Sequence, residues 1–218
     1  MKKILFLALG LFACLTSCVK RQDVPVGIAH VKFVNAVDSS ANQDVYAGGQ
    51  LLTKGPVGYG GYTEYFSVNS GFTIFEYTNS GTQEVTGQIN HGMDIDSYST
   101  VYYYRDLNSL IQTGATRDDM TLPPAGKARV RFIHLNFFLN NSINISVVGA
   151  TSPLAKDLVF RAASAYFDVD PGVRFQASAT DVVTAPVIDA RIAAGKIYTI
   201  WIDGSSRTDL RSHTILQN

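Results

Sequence analysis

One stretch of this chain occurs twice, and that repetition limits what it can fold into. Ala29-His30-Val31-Lys32-Phe33-Val34-Asn35 returns as Ala128-Arg129-Val130-Arg131-Phe132-Ile133-His134. A second match keeps nearly the same interval: Tyr65-Phe66-Ser67-Val68-Asn69-Ser70-Gly71 against Tyr166-Phe167-Asp168-Val169-Asp170-Pro171-Gly172. A third sets residues 92–101, with Tyr98, against Gly195-Lys196-Ile197-Tyr198-Thr199-Ile200-Trp201. Three matches in one order at nearly one offset point to two copies of a module. The offset of about a hundred residues is the size of a small β-sandwich.

Each copy reads as strands. Val31-Lys32-Phe33 and Val130-Arg131-Phe132 alternate apolar with charged residues, the period of a half-buried strand. On that reading His30 and Lys32 share a solvated face. Phe72-Thr73-Ile74-Phe75-Glu76-Tyr77-Thr78 and Ile197-Tyr198-Thr199-Ile200-Trp201-Ile202 are β-branched and aromatic. Gly48-Gly49, Gly60-Gly61, Asn79-Ser80-Gly81, Pro171-Gly172 and Asp203-Gly204 punctuate them as turns. Leu122-Pro123-Pro124-Ala125-Gly126 marks the seam, because paired prolines cannot sit in a central strand. Residues 106–116 read either as a short helix, with Leu107, Leu110 and Ile111 on one face, or as a last strand with a polar tail; the helical turn is the expectation. The expected fold is all-β: two tandem antiparallel immunoglobulin-like sandwiches, residues 28–121 and 127–218, joined by a linker at 122–126. Each would bury the alternating apolar residues of two facing sheets.

The repeated strand carries a family resemblance. Ala128-Arg129-Val130-Arg131-Phe132-Ile133-His134 resembles the opening strand of the DUF4397 family of secreted bacterial proteins. Asp44-Val45-Tyr46 and Gly195-Lys196-Ile197-Tyr198-Thr199 fit later elements of that pattern. The likeness spans both copies. It departs at Asn35, where the family has histidine, at Asn144-Ile145-Ser146, which replaces the aspartate strand, and at Phe137-Phe138, where a proline-rich turn is usual. The resemblance implies a β-sandwich and no established activity.

The N-terminus supplies an address. Lys2 and Lys3 precede an apolar run from Ile4 to Leu15, followed by Thr16-Ser17-Cys18. About a dozen apolar residues fall short of the roughly twenty that span a bilayer as a helix. A basic start, a short apolar core and small residues at the end make a signal peptide over residues 1–17. Leu15-Thr16-Ser17-Cys18 resembles a lipobox, which implies cleavage before Cys18 and lipidation of its thiol. Residues 18–27 then form a lipidated tether. Cys14 leaves with the signal, so the mature chain keeps no thiol for a disulfide, a zinc site or cysteine catalysis. Losing Lys2 and Lys3 takes the basic residues from 18 to 16 against 18 acidic ones. Nothing in that balance suggests a nucleic-acid partner, which needs a concentrated basic face, and none is expected.

Reactive groups are sparse. His30, His91, His134 and His213 fall at no metal-ligand spacing. His134, closing its strand, suits a bond to a neighbouring loop backbone. Asp94-Ile95-Asp96, Asp168-Val169-Asp170 and Asp118-Asp119 lack a calcium-loop spacing, and a hydrated sheet face explains them more simply. No G-x-S-x-G elbow or phosphate loop occurs; Gly58-Tyr59-Gly60-Gly61-Tyr62 reads as a turn or bulge. No cofactor and no metal is expected.

Aromatics give the one hint of a binding face. The first copy holds nine tyrosines and the second two. Tyr59, Tyr62 and Tyr65 are three apart around a glycine turn, and Tyr102-Tyr103-Tyr104 must point to both faces of a sheet. Tyr59, Tyr62, Tyr65 and Tyr103 are therefore candidate ligand-binding aromatics, against the alternative of cross-strand pairing. The expected protein is non-enzymatic and held to the outer membrane by acyl chains, with a structural or interaction role toward envelope proteins. The alternative is glycan capture for saccharide uptake. Tandem copies behind a lipobox look like the surface lipoproteins of Bacteroidetes.

Overall fold

A computed structural model of the chain describes residues 26–180, 182 and 186–218. The first module comprises β1 (Ile28–Asn35), β2 (Gln43–Ala47), β3 (Gln50–Leu51), β4 (Phe66–Asn69), β5 (Gly71–Asn79), β6 (Val85–Met93), β7 (Tyr98–Arg105) and β8 (Ile111–Asp118). The second comprises β9 (Ala128–His134), β10 (Ile143–Val147), β11 (Ala155–Leu158), β12 (Phe167–Val169), β13 (Phe175–Ser178), β14 (Val187–Ile188), β15 (Ile197–Asp203) and β16 (Arg211–Leu216). Sheets β4-β1-β7-β8 and β3-β2-β5-β6 build the first sandwich, and β12-β9-β15-β16 and β11-β10-β13-β14 build the second. Adding eight to each strand number turns the first pair of sheets into the second. The repeat read from three short matches therefore covers the whole topology.

One pairing in each module is parallel. β1 runs alongside β7, with Lys32 opposite Thr100, and β9 alongside β15, with Arg131 opposite Thr199. Every other named pairing is antiparallel. A parallel pair needs a long crossover, and here the crossover runs through the facing sheet and back.

Each sandwich has its own core. Val31, Phe33, Val45, Phe75 and Tyr77 fill the first; Val130, Phe132, Ile145, Phe175 and Ile200 fill the second. A third apolar cluster belongs to neither. Val34, Tyr102, Tyr104, Ile133, Leu135 and Trp201 meet between the modules. The central strands are thus buried on both faces. Lys32, expected on a solvated face, is only 1% exposed because the second module covers that face. His30 on the same phase is half-buried and stacks on Tyr98 at 4.4 Å.

Residues 106–116 form no helical turn. Asp106 Oδ1 accepts the Asn108 and Leu110 N–H groups at 2.9 and 3.0 Å, closing a turn with Ser109 at φ 64°. β8 then pairs with β7 over its full length. Leu107 and Leu110 are exposed, so a helix there would have no apolar face to bury. The seam with Pro123-Pro124 lies between β8 and β9, with Gly126 at φ 77°.

His134 closes β9 as expected. Its Nε2 lies 3.2 Å from Asn141 O, and its Nδ1 accepts the Asn136 N–H at 3.3 Å. Asn35 does the same work in the first module: Oδ1 accepts the Val37 N–H at 3.0 Å and Nδ2 donates to Val57 O at 3.0 Å. Both side chains present an acceptor to the residue two ahead and a donor to a loop, which explains how asparagine replaces histidine. Burial pulls the His134 pKa down to about 4. The folded state then binds no proton there while the unfolded imidazole, near 6.5, does. Stability from this site is full above pH 6.5 and falls as the pH drops toward 4, by about 2 kcal/mol at pH 5. His134→Asn is expected to flatten that acid limb. Urea melts of both proteins at pH 7 and pH 5 measure the difference.

Candidate functional site

The chemistry-bearing side chains converge where the two modules meet. Sheet β4-β1-β7-β8 faces sheet β12-β9-β15-β16, and a polar network crosses the contact. Arg131 from β9 forms an ion pair with Asp118 at the end of β8, their side chains 3% and 0% exposed. Asp118 Oδ2 also accepts the Thr100 hydroxyl at 2.6 Å and the Tyr65 hydroxyl at 2.7 Å. Tyr65 shares that hydroxyl with Gln217 Oε1. Arg131 donates to Thr199 Oγ1 at 2.9 Å, Arg117 O at 2.7 Å and Thr116 Oγ1 at 3.0 Å, and lies 4.9 Å from the Tyr166 ring. A buried charge is tolerable only when paired and bonded in this way. Burial opposes the Arg131 charge, but Tyr102 and Asp118 outweigh it and raise the pKa above the usual guanidinium value.

Lys32 occupies the place in β1 that Arg131 holds in β9. Its Nζ donates to Leu216 O at 2.5 Å and stands over the Tyr65 and Tyr62 rings at 4.5 and 5.1 Å. Burial lowers its pKa to about 8, against the opposing charges of Glu64 and Asp118. Each cation thus reaches a carbonyl in the last strand of the other module, Leu216 in β16 or Arg117 in β8. The joint has the reciprocity of a two-fold dimer folded into one chain.

The four candidate tyrosines part company. Tyr59 donates to Asp203 Oδ2 at 2.6 Å and sets its ring edge-on to Trp201 and His213 at 6.3 and 5.1 Å. Burial and the Asp203 bond raise its pKa. Trp201 stacks on His213 at 3.8 Å, and His213 Nε2 lies 3.2 Å from Asp203 Oδ1. Tyr59 and Tyr65 are therefore part of the joint. Tyr103 is a correction: it points into the first sandwich, 2% exposed and stacked on Tyr77 at 4.9 Å, so no ligand reaches its ring. Its neighbours Tyr102 and Tyr104 take the outward phase and meet the second module. Tyr62 alone of the four keeps an exposed ring, at 37%.

Tyr62 and Tyr65 also border a groove of about 490 Å³ in the first module. Its lining also includes Lys54, Pro56, Val57, Glu64 and Phe66. An aromatic wall with one cation and one carboxylate suits a sugar ring or an extended peptide. The acidic pairs are engaged elsewhere: Asp94 with Arg117 at 2.8 Å, Asp170 with Lys127 at 2.7 Å. Among the described residues no group of three or more His, Cys, Asp or Glu is placed to hold a metal ion. Cys18, the signal peptide and residues 18–25 of the tether lie outside the described residues.

Sequence reasoning passed over Asp118, Arg131, Thr199 and Gln217 as a group. One signal was available: the supposedly outward phase of β1, β7, β9 and β15 carries Val34, Tyr102, Ile133 and Trp201, too apolar for a solvated sheet face.

A family model described as "Domain of unknown function (DUF4397)" matches residues 29–141, just over half of the chain. No curated protein matches. Among solved structures, the Bacillus anthracis TIE protein is similar at 11% identity with a TM-score of 0.24. That match covers 82% of this chain and 33% of the other, so this chain spans about a third of its length.

Proposed function

The chain belongs to the DUF4397 family, and from that premise we propose that it is a non-catalytic, lipid-anchored cell-envelope protein with a structural or protein-interaction role. In this reading the second module is a second copy of the family domain; the repeated strand order supports it. Residues 1–18 support the anchor, on the outer membrane of a Bacteroidetes-like cell, by their lipobox pattern. The observation that carries the role is the joint itself. Arg131, Asp118, Lys32, Tyr65, Tyr59 and Trp201 are spent on fixing one module against the other. Such an arrangement serves a rigid spacer or display element better than a hinged catalyst.

The groove beside Tyr62 favours a second reading, glycan capture for saccharide uptake. A glycan array probed with the full chain, beside Tyr62→Ala, separates the two. The scaffold reading expects no saccharide to bind. A saccharide retained by the native chain and lost in Tyr62→Ala would move the assignment to glycan capture. Mass spectrometry of the native protein tests the anchor: Cys18 is expected as an acylated N-terminus, and a chain retaining residues 1–17 without acyl groups would remove it.

A further inference from the structure

One end of the first module exposes apolar side chains where a solvated sandwich would carry polar turns. Val26 is 73% exposed, Phe72 83% and Ile95 45%. These three come from distant parts of the sequence and are held together. The Gly27 N–H donates to Ser70 Oγ at 2.9 Å, and the Ser70 N–H to Gly27 O at 2.8 Å, which ties the entering chain to the turn before Phe72. The Asp96 N–H donates to Ile28 O at 2.7 Å. Gly27 itself lies so close to Ile95 that an added Cβ would stand 2.7 Å from its Cγ2. Phe72 pairs with Gly92 in the sheet, its ring covering that glycine. The cluster therefore crowns the end of the sandwich at which the chain arrives from its N-terminal segment.

We propose that this end of the first module, led by Phe72 with Val26 and Ile95, rests in the interface of the lipid bilayer to which Cys18 is anchored. The inference rests on the lipid-anchor reading and adds an orientation to it. Only eight residue steps separate Cys18 from Val26. Even fully extended they reach only about 28 Å. Val26 is therefore never far from the headgroups. Tethering makes contact with the bilayer an intramolecular event, so a few apolar side chains too weak to bind from solution suffice. Lys20 and Arg21 in the tether add attraction to anionic headgroups. Asp94 at this end is neutralised by Arg117 at 2.8 Å, while the exposed Asp96 keeps the insertion shallow.

The test uses the full acylated chain in vesicles of phosphatidylethanolamine and phosphatidylglycerol, with lipids brominated either near the glycerol end or near the terminal methyl. Trp201, the one native tryptophan, is fully buried and serves as a constant background. Phe72→Trp adds a reporter at the proposed contact. Val159→Trp adds one beside Phe160, which packs on Tyr104 at the far end of β7. The added Phe72→Trp emission is expected to fall roughly twofold with shallow bromines and little with deep ones, as for a side chain seated at the headgroup boundary. Val159→Trp is expected to be unaffected. Equal, negligible quenching of both reporters in protein whose mass confirms the acyl chains would overturn the docking and leave the anchor intact. A mass without acyl chains would overturn both.

Discussion

Arg131→Ala is expected to destabilise the protein by about 3–5 kcal/mol, because it leaves Asp118 as an unpaired buried carboxylate. The loss is larger than a surface ion pair can produce, typically below about 1 kcal/mol. It also strips donors from Thr199, Thr116 and the Arg117 carbonyl. The penalty comes from the charge left behind more than from the bond lost. Replacing both partners, Arg131→Met with Asp118→Leu, is therefore expected to recover much of the stability. Urea denaturation of the two variants and the parent gives the comparison. A destabilisation below about 1 kcal/mol for Arg131→Ala would place the pair in solvent and open the joint.

Trp201→Ala is expected to cost a similar amount, about 3–5 kcal/mol, by emptying the centre of the apolar cluster between the modules. The indole is fully buried, stacked on His213 and met edge-on by Tyr59. Its Nε1 has no hydrogen-bond partner among the described residues. Trp201→Phe is therefore expected to lose only part of the packing and to cost much less. Because Trp201 lies outside both sandwich cores, the alanine variant should loosen the joint while each core stays folded. Hydrogen exchange would show this as faster exchange along β7 and β15 with β5 and β13 still protected. Uniform loss of protection across both sandwiches would place Trp201 in a module core instead.

The two predictions share an origin in what the sequence could and could not express. The repeated Ala-x-Val-x-Phe strands announced two sandwiches, because strand period and turn chemistry are local properties. The role of His134 was legible for the same reason: its partners, Asn136 and Asn141, are close in sequence. The sequence places Lys32 on a solvated face because alternation reports that successive residues face opposite ways, not what covers each face. The cover for β1 is a sheet about a hundred residues later in the chain. Tyr103 stands among the candidate aromatics for a related reason. Three consecutive tyrosines fix their alternation but not its phase, which the inward Val101 sets. The turn at 106–110 is ambiguous in sequence because Leu107, Leu110 and Ile111 match a helical spacing; the exposure of Leu107 and Leu110 and the pairing of Ile111 with Arg105 rule the helix out.

The joint welds two sandwiches into one body. Scanning calorimetry of the full chain tests it most directly. A single transition is expected, with calorimetric and van't Hoff enthalpies that agree, splitting into two when Arg131→Ala opens the joint. Two separate transitions in the unaltered protein, one for each sandwich and neither moved by Arg131→Ala, would contradict it.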